Sequence, residues 1–306
     1  MPRELQEWLP REDILSYEET LRIIRISAQL GVSKLRITGG EPLSRRGVLD
    51  FMRALPAIPG INDIGISTNG TLLAREVSPG LSMARSLREA GVRTVNISLD
   101  TLDPEVYAAI TGRDFFQQAS DGLNAAIEAG FEQIKVNAVL MRGRNDDQLV
   151  PLAEFAASRA LLLRFIELMP VSTSEVLSEK NFLPVQEAKR KLEAHYGSLI
   201  PEPTFRTNGP ATYYQVPGRS QRIGFIGAMT NLHFCESCNK LRLTCDGKLR
   251  PCLGSYLEFD IMKQLRAGAS DEELTRFFLD VVERKPQQHD FREAYQPNRK
   301  MVAIGG

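Results

Sequence analysis

The first half of the chain switches repeatedly between two hydrophobic periods. Leu21, Ile24 and Ala28 recur at helical spacing behind Ser16 and Glu19, which form a capping box, and Gly31 is placed to end that helix. Residues 32–38 then alternate with the two-residue period of a strand. Further strands are predicted over 61–66, 92–99, 131–140 and 161–168, several of them preceded by a helical pattern such as 81–90 or 116–129. Gly31, Gly91 and Gly130 stand where helices stop. Repeated strand–helix units with short connections demand parallel strands and right-handed crossovers, hence a doubly wound α/β sheet or a barrel.

In such folds the chemistry gathers at the C-terminal ends of the strands. Those ends carry Gly39-Gly40-Glu41, Ser67-Thr68-Asn69-Gly70, Ser98 with Asp100, Asn137, and Glu167 with Met169. Gly and Asn often do no more than make turns, but agreement at five ends favours a site. After Met169-Pro170 the rhythm breaks. A helix over 184–196, strand-like pieces at 213–216 and 222–226, a cysteine segment, and helices in 260–265 and 271–283 predict a second α+β module, so the division expected is 1–169 and 170–306.

Composition narrows the function classes. The 306 residues are 42% hydrophobic and 25% charged, which suits a packed core. Lys plus Arg and Asp plus Glu number 38 each, so no global field draws the chain to nucleic acid or anionic lipid, and an anion must be caught locally. No membrane span or secretory signal is recognisable, so the expected location is cytoplasmic, with no membrane and no nucleic acid as partners. The three histidines, His195, His233 and His289, give no hydrolase constellation.

All four cysteines fall between Cys235 and Cys252. Cys235, Cys238 and Cys252 give C-x2-C-x13-C, which fits an iron–sulfur cluster with one iron left open. Including Cys245 gives C-x2-C-x6-C-x6-C, which fits a closed zinc site equally well. Lys240 and Arg242, two apart on a strand, share a face and suit a polyphosphate or, equally, compensate the thiolates.

Gly39-Gly40-Glu41-Pro42 directly after a strand resembles the loop of radical S-adenosylmethionine enzymes that holds the cofactor's amino group. Arg36 to Leu43, Ser67-Thr68-Asn69-Gly70, Asn96 to Asp100, Lys135-Val136-Asn137, Arg164 to Glu167, Cys235 to Leu253 and a terminal Gly-Gly follow in the order found in the GTP 3′,8-cyclase family of molybdenum cofactor biosynthesis. The resemblance implies a partial (βα)6 TIM-type barrel with a C-terminal cluster-binding module, and a lyase that converts GTP to (8S)-3′,8-cyclo-7,8-dihydroguanosine 5′-triphosphate. It implies that Gly39, Gly40, Glu41, Ser98 and Met169 hold S-adenosylmethionine. Arg36, Ser67, Lys135, Lys240, Leu241 and Arg242 would contact GTP, and Cys235, Cys238 and Cys252 would bind a second [4Fe-4S] cluster whose open iron meets the guanine. Lys240 stands where Arg is usual, so it keeps charge without the bidentate fork. A homodimer and delivery of the product to cyclic pyranopterin monophosphate synthase are implied as well.

In the family a first strand leads into C-x3-C-x2-C, commonly followed by Met-Pro, and this chain starts Met1-Pro2. The resemblance therefore implies that the first strand, the three ligands of the first cluster and an upstream Arg are missing, through a misplaced start or a truncated gene, leaving the chain inactive. A non-catalytic homologue that still binds GTP is the alternative. Two rivals come from other classes: a peptide-modifying radical enzyme, which would usually carry more cysteines, and a zinc-ribbon nucleic-acid binder, which would want a basic stripe and aromatic platforms.

Overall fold

A computed structural model describes residues 9–171, 178, 180–236, 238–291 and 299. The Met1-Pro2 start and the Gly305-Gly306 tail lie outside the described residues. The first half runs α1 (Tyr17–Gln29), β1 (Lys34–Ile37), α2 (Val48–Ala54), β2 (Asp63–Thr68), β3 (Glu76–Ser78), β4 (Leu81–Ser82), α3 (Met83–Glu89) and β5 (Thr94–Ser98). It continues with α4 (Pro104–Thr111), α5 (Phe116–Ala129), β6 (Gln133–Leu140), α6 (Leu149–Ser158) and β7 (Leu162–Glu167). Then follow α7 (Val185–Tyr196), β8 (Ile200–Pro201), β9 (Thr212–Gln215), β10 (Arg222–Ile226), β11 (Arg242–Leu243), β12 (Lys248–Arg250), β13 (Phe259–Asp260), α8 (Ile261–Arg266) and α9 (Asp271–Glu283).

Local signals act where the sequence places them. The Ser16 hydroxyl accepts the Glu19 amide, and the Glu19 carboxylate accepts the Ser16 amide at 2.7 Å, which closes the capping box of α1. The helix predicted over 81–90 starts two residues late, because Leu81 and Ser82 pair with β3. Ser82 is then free to cap α3 through the Arg85 amide.

Eight strands form one sheet in the order β1-β2-β5-β6-β7-β10-β9-β8. Each neighbouring pair from β1 to β10 is parallel, whereas β9 and β8 are antiparallel additions. This is an α/β fold of the partial TIM-barrel type. Five of the parallel strands are those predicted from the first half. The sixth, β10, comes from beyond Met169 and pairs with β7 from Ile223↔Leu163 to Ile226↔Ile166.

Side-chain alternation divides the sheet into two faces. Ile64, Ile66, Val95, Ile97, Val136, Ala138, Leu163 and Phe165 enter one apolar core with residues of α2, α3, α5 and α6. The alternate positions carry Gly65, Ser67, Asn96, Lys135, Asn137 and Arg164 on the inner face. Parallel strands covered on both faces usually read as continuous apolar runs, so a polar inner face marks a space kept for a ligand.

A second core joins α1 to the C-terminal elements. Leu15, Ile23 and Ile26 pack with Leu249, Ile261, Leu274, Phe278 and Val281, while Ile24 and Ala28 of the same helix face the main core. With each fully buried Leu or Ile contributing about 1.5–3 kcal/mol, this cluster fixes the cysteine-bearing hairpin against the barrel. Among the described residues no helix is long and apolar enough to cross a membrane.

Candidate functional site

The loop after β1 is tied to the loop after β2 by one carboxylate. Glu41 Oε1 accepts the Leu43 amide at 3.0 Å and the Thr68 hydroxyl at 2.8 Å, and Oε2 accepts the Asn69 amide at 2.9 Å. Burial pushes the Glu41 carboxyl above its usual range, against the pull of those donors. Gly70 closes the second loop at φ +83°, and a Cβ on Gly122 of α5 would stand 1.9 Å from the Gly70 carbonyl oxygen. Helix and loop therefore touch backbone to backbone. Nothing lies within 4 Å of the point where a Cβ on Gly39 or Gly40 would stand, so the Gly-Gly segment borders open space. Ser98 is exposed at the end of β5, and Met169, beyond β7, packs with Val171, Phe291, Met229 and Leu253.

Inside the barrel, register builds a polar layer. Ser67, Asn96 and Lys135 are successive partners across β2, β5 and β6, and Ser98, Asn137, Arg164 and Gly224 are partners across β5, β6, β7 and β10. The Asn96 amide donates to Ser67 Oγ at 3.0 Å, and Arg164 Nε donates to Asn137 Oδ1 at 2.8 Å. Arg36 crosses β2, reaching the carbonyls of Ile66 and Thr94 at 3.5 and 3.3 Å. Gly65 makes that crossing possible, because a Cβ there would stand 1.9 Å from Arg36 Nη1 and 2.5 Å from Thr94 Oγ1.

Three cations thus share a desolvated interior. Lys135 is 1% and Arg164 4% exposed. Burial draws Lys135 from 10.5 down to about 7, assisted by Arg164 and Arg36 and opposed by Asp63. Burial also lowers Arg36 to about 10, with Asp63 acting against and Arg164 with it, and it lowers Arg164. Asp63 Oδ1, Thr94 Oγ1 and Asn96 Oδ1 are buried with no hydrogen-bond partner among the described residues. Crowded cations beside unpaired polar atoms are the surroundings a polyanion with hydroxyl groups would relieve. Substituting Val for Gly65 is expected to expel the Arg36 guanidinium and cost about 1–3 kcal/mol by overpacking, measured as a lowered unfolding midpoint.

The cysteine segment approaches the barrel at Lys240, which feels the charges of Lys34 and Arg36. Cys238 N donates to Cys235 O at 3.0 Å in a tight turn, and the hairpin of β11 and β12 returns the chain to Cys252. The pairing Arg242↔Arg250 puts Cys252 at the same hairpin end as Cys238, with Cys245 at the opposite tip. Burial raises the Cys252 thiol, and Cys235 and Cys238 are near enough to raise it further. Burial raises Cys245 as well, but the charges it feels are those of Asp246, which raises it further, and Arg299, which lowers it. Among the described residues no three His, Cys, Asp or Glu are grouped for a single metal ion. The donor chemistry at Cys235, Cys238 and Cys252, three soft thiols from two backbone segments, fits an iron–sulfur cluster. Replacing Cys245 by Ser is expected to leave the iron content after reconstitution unchanged; parallel loss of iron would place that thiol in the ligand set.

Lys240 and Arg242 stand beside the thiols. Burial lowers Arg242, and partial burial lowers Lys240, which is otherwise exposed to solvent; Cys238 opposes this at each, Cys252 also at Arg242, while Lys34 and Arg36 repel Lys240. Arg36 and Lys240, 204 positions apart in the sequence, are thus close enough to feel each other's charge. The Leu241 side chain is engaged elsewhere, against the core shared by α1 and α9.

Sequence reasoning did not assign two residues that organise the site. Arg164 lies in a quoted motif, and Gly224, whose Cβ would stand 3.0 Å from Arg164 Cγ and 2.7 Å from the Tyr213 ring, is the mid-strand signal of the close approach. Glu167, fully buried, accepts the Val185, Met229 and Thr230 amides and the Thr230 hydroxyl, pinning α7 and the loop before Cys235 to the end of β7.

The family model of the radical SAM superfamily matches residues 3–156, and that of Molybdenum Cofactor Synthesis C matches 161–291. A GTP 3′,8-cyclase of Pelotomaculum thermopropionicum is 40% identical over the whole chain and 92% of its own length. One of Thermodesulfovibrio yellowstonii is 43% identical with the same coverage, and one of Moorella thermoacetica is 43% identical over 96% of this chain and 88% of its own. Among solved structures, Streptococcus suis SuiB superposes with a TM-score of 0.61 at 15% identity, over 91% of this chain and 62% of SuiB. That likeness concerns the fold alone. With two family models side by side and relatives 40% and 43% identical along its whole length, the chain belongs to the GTP 3′,8-cyclase family, radical SAM enzymes of molybdenum cofactor synthesis.

Proposed function

We propose that the cleft between the barrel interior and the cysteine segment binds GTP, in the radical SAM lyase reaction that yields (8S)-3′,8-cyclo-7,8-dihydroguanosine 5′-triphosphate. The observation that carries this is the buried cluster of Arg36, Lys135 and Arg164 inside the barrel, with Lys240 within reach of the Arg36 charge and Arg242 beside the thiols. The barrel cations suit the triphosphate, and Ser67 with Asn96 suits sugar hydroxyls. Lys240 and Arg242 close the other side, while Leu241 would contribute through its main chain. Cys235, Cys238 and Cys252 would hold a [4Fe-4S] cluster whose fourth iron stays open to the guanine. Gly39 and Gly40, with open space above them, would admit the methionine end of S-adenosylmethionine, with Ser98 and Met169 at its flank and Glu41 fixing the loop.

The barrel half has no cysteine, since the first in the sequence is Cys235. No residue here therefore fits the cluster that reduces the sulfonium. On this reading 1–169 is the barrel that holds S-adenosylmethionine and one side of GTP, and 170–306 is the module that brings the cluster thiols and the other side of GTP. Dimer formation and transfer of the product to cyclic pyranopterin monophosphate synthase belong to the same reading.

Calorimetry with GTP on anaerobically reconstituted protein, alongside iron and sulfide counts, tests it. About four irons and four sulfides per chain with GTP binding that depends on the cluster are expected. One zinc per chain, or a cluster without GTP binding, would overturn it.

A further inference from the structure

The segment that follows α9 grips both arms of the thiol set. Lys285 Nζ donates to the Lys240 carbonyl at 2.9 Å and to the Pro251 carbonyl, and stands 3.8 Å from Cys238 Sγ. Pro251 immediately precedes Cys252, and Lys240 lies two residues after Cys238. The three N–H groups of one ammonium thus serve three acceptors, two of them on the backbone segments that must hold the cysteines at a fixed separation. The same segment continues the grip. Asp290 N donates to Gly254 O at 2.8 Å, and His289 Nε2 lies 2.9 Å from the Ala228 carbonyl, upstream of Cys235. The Phe291 ring fills the space beside Gly254, where a Cβ would come within 2.5 Å of it. The root of this strap is firm, since Leu274, Phe278 and Val281 bury α9 against α1.

We propose that Lys285 is a positioning residue for the cluster at Cys235, Cys238 and Cys252, setting the spacing of its two ligand arms and raising its reduction potential with a fixed positive charge at the Cys238 sulfur. This rests on the three-thiolate reading above. Hydrogen bonds to the sulfurs and net charge nearby are the levers that set such potentials. One-electron reduction adds negative charge to the cluster, and an ammonium at 3.8 Å favours the more negative form. Removing it therefore lowers the potential. A purely structural clamp would leave the potential of a retained cluster where it was.

The test uses the whole chain, reconstituted anaerobically with iron and sulfide, as wild type, Lys285→Met and Lys285→Arg, with circular dichroism checking the fold. Iron is counted, and the cluster is titrated with dithionite under electron paramagnetic resonance. No other cysteine set in this sequence obscures the signal. In Lys285→Met the ratio of reduced to oxidised cluster at a fixed potential is expected to fall about tenfold, about 59 mV for a one-electron couple. Lys285→Arg, which keeps charge and donors, should stay close to wild type. Loss of iron from folded Lys285→Met alone, with Lys285→Arg loaded, also supports the positioning role. An unchanged potential in Lys285→Met, or a drop of equal size in both variants, overturns the inference while leaving the three-thiolate reading standing. A wild type that takes up no cluster defeats that reading, and this one with it.

Discussion

Replacing Glu167 by Ala is expected to lower the unfolding free energy by roughly 3–5 kcal/mol, the largest effect of any single substitution considered for stability. The carboxylate is completely buried and receives four donors, the amides of Val185, Met229 and Thr230 and the Thr230 hydroxyl. Truncation leaves three main-chain N–H groups without an acceptor, each costing about 1–3 kcal/mol unless water enters. At about 2 °C per kcal/mol for a chain of this size, thermal unfolding should move down by roughly 6–10 °C. Gln in its place would turn an NH2 group toward donors and recover little of the loss. Because the loop from Met229 leads to Cys235, iron retention should fall with stability. A variant that unfolds within about 1 kcal/mol of wild type would show that these contacts are not maintained in solution.

GTP affinity is expected to fall as the pH rises above about 7, by up to about tenfold per unit, through the ionisation of Lys135. In the empty protein burial and the neighbouring guanidiniums hold this lysine at about 7 rather than 10.5. A triphosphate beside it favours the charged form, so binding takes up a proton wherever the empty site is neutral and the filled site is not. The sign for folding is the opposite. The unfolded chain binds more protons between about 7 and 10.5, so the empty protein gains stability from this group as the pH rises through that window. Calorimetry in buffers of different ionisation enthalpy measures the proton uptake directly. Lys135→Met should remove most of the pH slope, and an unaltered slope would assign the titration to another group.

The parts of the candidate site that the sequence could mark are those whose signals are local. The Gly39-Gly40-Glu41 turn and the spacing of Cys235, Cys238 and Cys252 each lie within one short stretch, whereas Ser67 and Lys135 were marked by the family resemblance and sit on separate strands. What was hidden depends on pairing between distant segments. Residues 222–226 read correctly as a strand, but nothing in their pattern says that they lie parallel to β7. Spacing admitted Cys245 as a fourth ligand on equal terms, and only the register Arg242↔Arg250 separates it from the other thiols. Glu167 and Lys285 look like ordinary charged residues until the carbonyls and amides they serve are brought beside them.

The insertion of β10 beside β7 has a consequence for synthesis on the ribosome. When residue 167 has emerged, β7 has its β6 neighbour but lacks the neighbour on its other side, which is not translated until residues 222–226. At about 5–20 residues per second that bare rim persists for some seconds, displaying unpaired peptide groups flanked by Leu163 and Phe165. The interval is one in which a nascent chain would draw chaperones, and pauses placed in the message before codon 226 would lengthen it.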